Sequence, residues 1–448
     1  MSSRSALLET IERLVAENER LRAEVDRLVG RVADLEAELA RAKGESEKPR
    51  PPSWVKPNVA DRSQGEKTAR KKRAGKFVRK RSDQPTQQIV HAVEECPQCR
   101  CHLVGGWVKR HRETIEIPLP QVDIIDHVLL ERVCPQCAKV CVPRLGLKDG
   151  IVGKHRLGPR LMSLIGTLHE EGRMPIEVIQ THLQTIYRLT LSVGAIDGVL
   201  KSLAARGTKV VEAIQAEIQQ SGVVHADETG WREDGKNRYA WLIATPLACY
   251  LEVGRRNNPQ IDKILGKDFA GTLVTDFYGA YDHFTGPKQR CWAHLWRDVK
   301  DLLAQFPQDH SLIRWAHHLR RLYRQARDTP PLPDAERTTR RLRLEQVLRM
   351  LCEPVAGKDV PHRTLAQRIL KHSHELFTFV ENPAVPHTNN FAERLLRPYV
   401  IARKVWGGTR SAQGSTDAMR RASLVLTWRL RGLNPFTEFQ NLLLSPHS

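Results

Sequence analysis

Leucine recurs at every seventh position near the amino terminus, a spacing that strongly favours a coiled coil. The repeat consists of Leu7, Leu14, Leu21, Leu28 and Leu35, and the a positions of the same heptads hold Ile11, Asn18, Val25, Val32 and Leu39. Mostly β-branched residues at a with leucine at d favour two parallel helices, and a single a-position asparagine fixes register and dimeric state at some cost in stability. We therefore predict a leucine-zipper coiled coil over residues 1–43 that makes the protein a homodimer or higher oligomer. The alternative is one amphipathic helix folded back onto the body of the protein.

A strongly basic segment follows, in which the apolar periodicity stops. Between Lys48 and Arg81 there are thirteen lysines or arginines and two acidic residues. Such a composition buries too little apolar surface to fold alone. We predict a flexible linker over residues 44–90 that contacts the DNA backbone, with its densest basic run at Arg70, Lys71, Lys72 and Arg73. A solvated linker that serves only solubility is the alternative.

The charge of the whole chain also indicates a nucleic-acid partner. The 448 residues include 71 lysines and arginines against 51 acidic residues, which gives a net charge of +20. An excess of this size is typical of a protein that binds phosphates, although a merely basic protein would share it. No apolar run approaches the roughly 18 residues that cross a bilayer, and the amino terminus opens no secretory signal, so we expect a cytoplasmic, nucleoid-associated protein.

Two cysteine pairs of identical sequence predict a zinc site. Cys-Pro-Gln-Cys occurs twice, at Cys96 and Cys99 and again at Cys134 and Cys137. Four thiolates in two such pairs are what tetrahedral Zn²⁺ requires, whereas a redox or free-thiol role is the alternative. We predict one structural Zn²⁺ in a zinc ribbon, with Cys101, His102 and Cys141 near enough to substitute as ligands. The scattered Cys249, Cys291 and Cys352 are expected to be small buried residues.

Helical spacing then dominates from residue 151 to about residue 220. One helix is predicted to begin with Pro175 near its first position, and Ser192 is predicted to cap a second helix. Two helices joined by a short turn are compatible with a DNA-reading helix-turn-helix in which Lys201 faces DNA, and equally with a packed helical hairpin.

From residue 223 the pattern becomes α/β, and three segments each present a carboxylate. Strands are predicted at residues 239–245, 248–253 and 271–276, with a short helix at 259–265. Asp227 and Asp276 follow apolar, β-rich runs, so each is predicted near the end of a buried strand, and Glu393 lies in a helix-compatible stretch. Hard oxygen ligands suit Mg²⁺ or Mn²⁺, and two such ions would support phosphoryl transfer. Each carboxylate taken alone is also explained as a turn-capping residue or, for Glu393, as a partner of Arg397.

The surrounding segments resemble a known family. Residues 225–231, 275–281, 290–297, 389–398 and 402–408 read HADETGW, TDFYGAY, RCWAHLWR, NNFAERLLRP and ARKVWGG. Together they resemble the DDE transposases of bacterial insertion sequences, with the closest match in the insertion-sequence 66 family. The resemblance implies a ribonuclease H-like catalytic domain in which Asp227, Asp276 and Glu393 bind two Mg²⁺ ions, and a zinc-finger-like domain ahead of it. It also implies strand cleavage at the element ends and transfer of the 3′-hydroxyl into target DNA.

The predicted architecture is therefore a multidomain α+β protein. In order it comprises a coiled coil (1–43), a basic linker (44–90), a zinc-finger-like domain (91–150), a helical DNA-binding region (151–220), the first part of the catalytic core (221–310), a helical insertion (311–380) and the final catalytic helix with the tail (381–448). Double-stranded DNA, from element ends and target, is the expected partner, and accessory proteins of the same element are possible partners. The alternatives are a non-catalytic DNA-binding regulator and a ribonuclease H-like nuclease without strand transfer.

Further residues near Glu393 receive supporting roles. Asn389 and Asn390 are expected to support the third carboxylate, and the predicted phosphate contacts are Arg394, Arg397, Arg403 and Lys404. Cys291 and His294 form a C-x-x-H pair similar to a motif of the family. A structural turn into the helix at 293–305 is the alternative, so no zinc is assigned to this pair.

Overall fold

The structure is a computed structural model that describes residues 81–118, 120–257, 259–329 and 332–446, together with a set of positions near the amino terminus: 17, 20, 21, 23–25, 27, 28, 30, 31, 34 and 35. These last positions are all helical, and the pairing of this helix in a coiled coil stays a prediction. Of its apolar positions, Leu21, Val25, Leu28 and Leu35 are 48–55% exposed. Asn18, Leu7 and Leu14 lie outside the described residues, as does the basic run 70–73. Within the described part of the chain, no helix is long and apolar enough to cross a membrane.

The chain divides into two compact units, residues 39–121 and the remainder. In the described part of the smaller unit, a bridge between Glu95 and His102 frames the first cysteine pair. In the larger unit, β1 (Arg132–Val133) and β2 (Val140–Cys141) pair antiparallel around the second cysteine pair. The short 3₁₀ helix Leu147–Asp149 leads from there into the helical region.

Four helices fill residues 159–219, directly ahead of the main sheet. They are α1 (Pro159–Glu170), α2 (Ile176–Tyr187), α3 (Val193–Arg206) and α4 (Thr208–Gln219). The predicted cap is confirmed, because the Ser192 hydroxyl accepts a hydrogen bond from the Ala195 amide at 3.1 Å. Pro175 stands one position earlier than predicted, as the residue before α2 rather than its first residue.

A five-stranded mixed sheet forms the centre of the larger unit. Its strands are β3 (Val223–Glu233), β4 (Lys236–Ala244), β5 (Cys249–Gly254), β6 (Thr272–Thr275) and β7 (Lys288–Arg290). The order is β5-β4-β3-β6-β7; β3, β4 and β5 run antiparallel, whereas β6 is parallel to β3 and β7 is parallel to β6. The predicted hairpin, the short helix α5 (Pro259–Leu265) and the strand before Asp276 are all present.

One strand prediction is wrong. Asp227 does not lie near the end of its strand, because β3 continues through buried Thr229 and Trp231 to Glu233. The strand ends at a two-residue hairpin turn, Asp234-Gly235, in which both residues have positive φ. This is the backbone that twisted two-residue hairpins favour. The apolar run before Asp227 covered only the first part of the strand, and the polar residues after it concealed the rest.

Both faces of the sheet are covered. Side chains alternate along β4, so Trp241 and Ile243 join a core with the helices α1 to α4, while Ala240, Leu242 and Ala244 join a second core on the other face. That second face packs against α11 (Asn390–Trp406) and α12 (Ala412–Leu430). The last helix, α13 (Pro435–Leu444), packs on α1.

The segment between β7 and α11 is helical, as the sequence predicts. It contains α6 (Trp292–Gln305), α7 (His310–Arg327), α8 (Asp334–Ala356), α9 (Arg363–Lys371) and α10 (Thr378–Glu381), with 3₁₀ turns at Gly279–His283, before β7, and at Ser373–Glu375. These helices share their own apolar core, which includes Trp292, Trp315, Leu348 and Phe377. The insertion therefore carries enough buried surface to hold its own shape.

Candidate active site

The three predicted carboxylates arise from three different elements. Asp227 lies on β3, the central strand, opposite Leu242 of β4. Asp276 directly follows β6, whose parallel register with β3 places Val274 opposite His225 and so brings Asp276 to the level of Asp227. Glu393 lies in the first turn of α11, which packs against β3.

The charges of Asp276 and Glu393 both act on Asp227. Burial, which is the largest cause, and the negative charges of Glu228, Asp276 and Glu393 together raise the pKa of Asp227 to about 8. Like charges held in a partly buried site oppose ionisation of the group among them. A cation at the same place would relieve this repulsion, so the donor set fits a hard divalent ion.

Local hydrogen bonds orient the first two carboxylates. The Asp227 carboxylate accepts from the amide of Glu228 at 2.9 Å, and the Asp276 carboxylate accepts from the amide of Tyr278 at 2.8 Å. The second bond gives Asp276 the turn-capping role that the sequence also allowed. Each carboxylate keeps oxygen lone pairs for another ligand, because a carboxylate has about four acceptor positions.

Glu228 follows Asp227 on β3. The alternation of side chains along a strand places it on the opposite face, which by itself predicts that Glu228→Gln is tolerated far better than a change of Asp227. The side chain of Glu228 is only 3% exposed and accepts hydrogen bonds from the Tyr281 hydroxyl at 2.7 Å and the Arg256 guanidinium at 2.9 Å. Burial raises the pKa of Glu228, and the charge of Asp276 adds to this rise. Glu228 is therefore a packed, bonded group and a poor neutral control.

Asn389 connects the start of α11 to the sheet. Its buried side-chain amide donates to the carbonyl of Ala226 at 2.7 Å, and its oxygen lies 2.9 Å from the imidazole of His225. Its backbone amide donates to the thiol of Cys291 at 3.1 Å. These bonds position the turn that carries Glu393 beside Asp227. Asn390, by contrast, is an exposed first residue of α11.

Glu393 faces α6 rather than the next turn of its own helix. Its carboxylate lies 3.5 Å from the His294 imidazole and 4.0 Å from the Arg297 guanidinium. Among the described residues no ion pair joins Glu393 to Arg397, so that alternative is wrong. The buried Cys291 at the start of α6 has its sulfur in the same cluster.

Sequence reasoning gave no role to Arg290, the last residue of β7. Its fully buried guanidinium donates to the backbone carbonyl of Asp276 at 2.8 Å, to Asp282 at 2.5 Å and to Glu375 at 2.6 Å. It thus ties the segment that carries Asp276 to the helical insertion. The only sequence signal that could have identified Arg290 is its place directly before Cys291 of the C-x-x-H pair.

The predicted DNA contacts fall into two groups. Arg394, Arg397 and Lys404 are exposed on α11. Arg403 instead donates to the carbonyl of Gly230 at 2.7 Å, and Lys201 on α3 forms an ion pair with Asp197 at 2.7 Å.

The helical insertion adds a basic cleft between α7 and α8. Its volume is about 1040 Å³. Its basic lining includes Arg320, Arg321, Arg324, Arg340 and Arg343, with Asp328 and Glu336 also present.

The two cysteine pairs adopt the same backbone turn. In each, the first cysteine amide donates to the carbonyl five residues later, from Cys96 to Cys101 and from Cys134 to Lys139. The fourth residue after each first cysteine, Arg100 or Ala138, has positive φ. Backbone amides lower the pKa of Cys99 and of Cys134, as suits thiolate ligands. In the smaller unit the sulfurs of Cys96, Cys99 and Cys101 lie within 4.8 Å of one another, so Cys101 is a ligand candidate there.

The fold and site define a mixed α/β protein with a carboxylate cluster at the centre of its sheet. Comparison with protein families supplies the affiliation. The family described as "Transposase IS66 family" matches residues 154–417, more than half of the chain, and the chain belongs to this family. The resemblance seen in the sequence is thereby confirmed, and membership supports a transposase role with DNA as the partner. A search of curated proteins gives no match.

Proposed function

We propose that this protein cuts DNA at the ends of its insertion sequence and joins the freed 3′-hydroxyl to target DNA. The observation that carries the proposal is the buried Asp227, whose pKa is raised to about 8 by burial and by the nearby charges of Glu228, Asp276 and Glu393. A solvated or capping role for Asp227, Asp276 and Glu393 would not require them to meet. Family membership independently supports chemistry on DNA.

The strand order supports a ribonuclease H-like catalytic domain. Three antiparallel strands continue into two parallel strands. Asp227 lies on β3, the first strand of this sheet along the chain, and Asp276 directly follows β6, the fourth. The final acid comes from a helix that packs against β3. This arrangement is compatible with the ribonuclease H-like domain that the family resemblance implies.

Two Mg²⁺ or Mn²⁺ ions would be held by Asp227, Asp276 and Glu393. When bound, such ions stabilise the attacking and leaving oxygens of an in-line displacement at phosphorus. The donor set fits, because all three groups are hard oxygen ligands and their mutual repulsion favours a cation. Asn389 and Arg290 act on the protein side by fixing the backbone at Glu393 and Asp276.

Basic side chains around the site would hold the DNA. Arg394, Arg397 and Lys404 are exposed along α11, and Arg297 is 57% exposed beside Glu393. The arginine-lined cleft of the insertion offers a further phosphate-binding surface. Such contacts position DNA without reading its sequence.

The amino-terminal modules would assemble the complex. The half-exposed leucines of the described helical positions suit a coiled coil between two copies. The matching cysteine turns suit one structural Zn²⁺ with ligands drawn from Cys96, Cys99, Cys134 and Cys137, and with Cys101 as a substitute.

The test is nicking of DNA that contains the element ends, in Mg²⁺ or Mn²⁺. Asp227→Asn, Asp276→Asn and Glu393→Gln should each abolish nicking and leave DNA binding intact, because lysine and arginine contacts supply most of the affinity. A triple variant should be no worse than a single one, because these residues act as a unit. Asp301→Asn, an exposed carboxylate on α6, is the matched control and should nick normally.

Three outcomes would contradict the proposal. Near-normal nicking by Glu393→Gln would show that Glu393 is not the third metal ligand. DNA binding without any nicking by the unaltered protein would favour a non-catalytic regulator, and nicking without joining would favour a nuclease.

A further inference from the structure

A second cluster of donor atoms lies beside the carboxylates, at the junction of α6 and α11. The sulfur of Cys291, a ring nitrogen of His294 and a carboxylate oxygen of Glu393 all lie within 4.8 Å of one another. Cys291 immediately precedes α6 and His294 lies in its first turn, so the C-x-x-H spacing points both side chains toward the first turn of α11. The sequence analysis assigned no metal to this pair.

Two of these donor atoms are enclosed and lack a partner. Nδ1 of His294 and Oε1 of Glu393 are shielded from solvent and form no hydrogen bond with any described residue. They face each other across 3.5 Å, a separation at which a hydrogen bond is weak. A buried polar atom without a partner is unfavourable, so two such atoms facing each other mark a place for a third species.

The donor chemistry selects among candidate occupants. Zn²⁺ binds sulfur at about 2.3 Å and nitrogen or oxygen at about 2.0–2.2 Å, so neighbouring ligands of a tetrahedral ion lie roughly 3.3–3.7 Å apart. The observed separation of 3.5 Å between nitrogen and oxygen fits this range. A thiolate and an imidazole do not suit Mg²⁺ or Ca²⁺, which take oxygen ligands.

One hydrogen bond at the cysteine favours a thiolate ligand. Burial raises the pKa of the Cys291 thiol, and the amide of Asn389, which donates to its sulfur at 3.1 Å, opposes that rise. The side chains of His294 and Glu393 are 25% and 32% exposed, so the cluster remains reachable from solvent. Three protein ligands with an accessible fourth position are the pattern of a zinc site that is not closed by protein.

We propose that Cys291, His294 and Glu393 bind a soft divalent ion such as Zn²⁺ at a site separate from the structural cysteine turns. Because Glu393 also belongs to the proposed Mg²⁺ site, zinc here holds that carboxylate toward α6 and competes with its use beside Asp227 and Asp276. The predicted result is inhibition of nicking by zinc. This second part rests on the proposed function, whereas the binding of zinc does not.

Binding is tested with Co²⁺, whose absorption reports thiolate ligation, on the full chain. The variant Cys96→Ser/Cys134→Ser, which disables the structural turns, should still bind about one equivalent with a thiolate-to-cobalt band. Adding Cys291→Ser or His294→Gln to it should remove that equivalent, and adding Cys249→Ser, a buried cysteine elsewhere, should not. Circular dichroism checks the folding of each variant. If the buried Cys291→Ser variant fails to fold, His294→Gln still tests the site, because His294 is partly exposed. If Cys291→Ser and His294→Gln both left the cobalt stoichiometry and spectrum unchanged, the proposed metal site would be refuted.

Inhibition is tested by the ratio of nicking rates with and without one equivalent of Zn²⁺ in excess Mg²⁺. In the chain that carries Cys96→Ser/Cys134→Ser, zinc should slow nicking by at least about tenfold, so that the ratio is about 0.1 or lower. Once His294→Gln is added, the ratio should stay near unity. Equal inhibition of both would refute the competition. A chain that binds cobalt as expected but never nicks would leave the metal site standing and contradict only the proposed function.

Discussion

Replacement of Arg290 by methionine is the most informative single perturbation of this fold. The guanidinium is fully buried at the end of β7 and bonds the Asp276 carbonyl, Asp282 and Glu375. Methionine has a similar length and is apolar, so the change removes the charge and the donors with little change in volume.

The expected cost follows from what remains around the lost charge. Removing one partner of a buried ion pair typically destabilises by about 3–5 kcal/mol, because the other charge is left uncompensated. Here Glu375 keeps Lys288 at 3.1 Å and Asp282 keeps Lys371 at 2.6 Å. We therefore expect the lower end, a loss of about 3 kcal/mol.

Urea unfolding of the full chain, followed by circular dichroism and by tryptophan fluorescence, measures this loss. Trp292, just after β7, and Trp315 of the helical insertion are among the nine tryptophans that contribute to the fluorescence. Arg349→Met, an exposed arginine on α8, is the matched control and should shift stability by less than about 0.5 kcal/mol. Glu375→Gln and the double variant complete a cycle, and the double variant should lose less than the sum of the two singles.

Activity provides a second measure of the same contact. Because Arg290 holds the backbone at Asp276, folded Arg290→Met should nick roughly 10- to 100-fold more slowly, the range for losing a group that orients a metal ligand. A stability loss below about 1 kcal/mol, together with additive single changes, would refute the argument that Arg290 ties the insertion to the active-site strand.

Three further predictions concern other parts of the chain. Purified protein should carry about one Zn²⁺ at the cysteine turns, and mass spectrometry should show that equivalent lost in Cys96→Ser/Cys134→Ser; equal content would exclude the assignment. The segment 1–43 should form a parallel dimer in analytical ultracentrifugation, and Asn18→Val should raise its stability while loosening the choice of oligomer; a monomer at high micromolar concentration would contradict this. Burial alone would raise the pKa of Glu375, but His372, Arg290 and Lys288 hold it well below its usual range. A carboxylate whose pKa is lower in the folded than in the unfolded protein stabilises the fold at pH values above 4.5, and this stabilisation is lost as the pH falls below 4.5. The free energy of unfolding, measured by denaturation at a series of pH values, should therefore fall more steeply on acidification for wild type than for Glu375→Gln.

Local patterns predicted much of the fold. Short apolar, β-rich runs located the two strands of the β4–β5 hairpin, and the serine before an apolar helical stretch located the cap of α3, because these signals depend on neighbours in the sequence. The full length of β3 escaped because its second half is bounded by a turn, not by composition. The end of such a strand is set by its hydrogen-bonded pairing with the neighbouring strand β4.

The candidate site was predicted less completely. Its carboxylates were identified by their segments, but the contacts of Arg290 and the approach of His294 to Glu393 join residues far apart in the chain. Such contacts exist only after the sheet and insertion have formed. The coupling of Glu228 to Arg256 and Tyr281 was missed for the same reason.

The anchoring of Asn389 makes the position of Glu393 independent of the length of the insertion. Glu393 follows Asp276 by 117 positions, yet the chain returns to a point fixed by bonds to His225 and Ala226 of the central strand. The entropy of closing such an excursion grows only slowly with its length, by about 0.6 kcal/mol for each doubling. The helices α7 to α9, which lie between the contacts of α6 with Glu393 and the turn that carries Glu375, can therefore lengthen or shorten while the third carboxylate keeps its place beside the first.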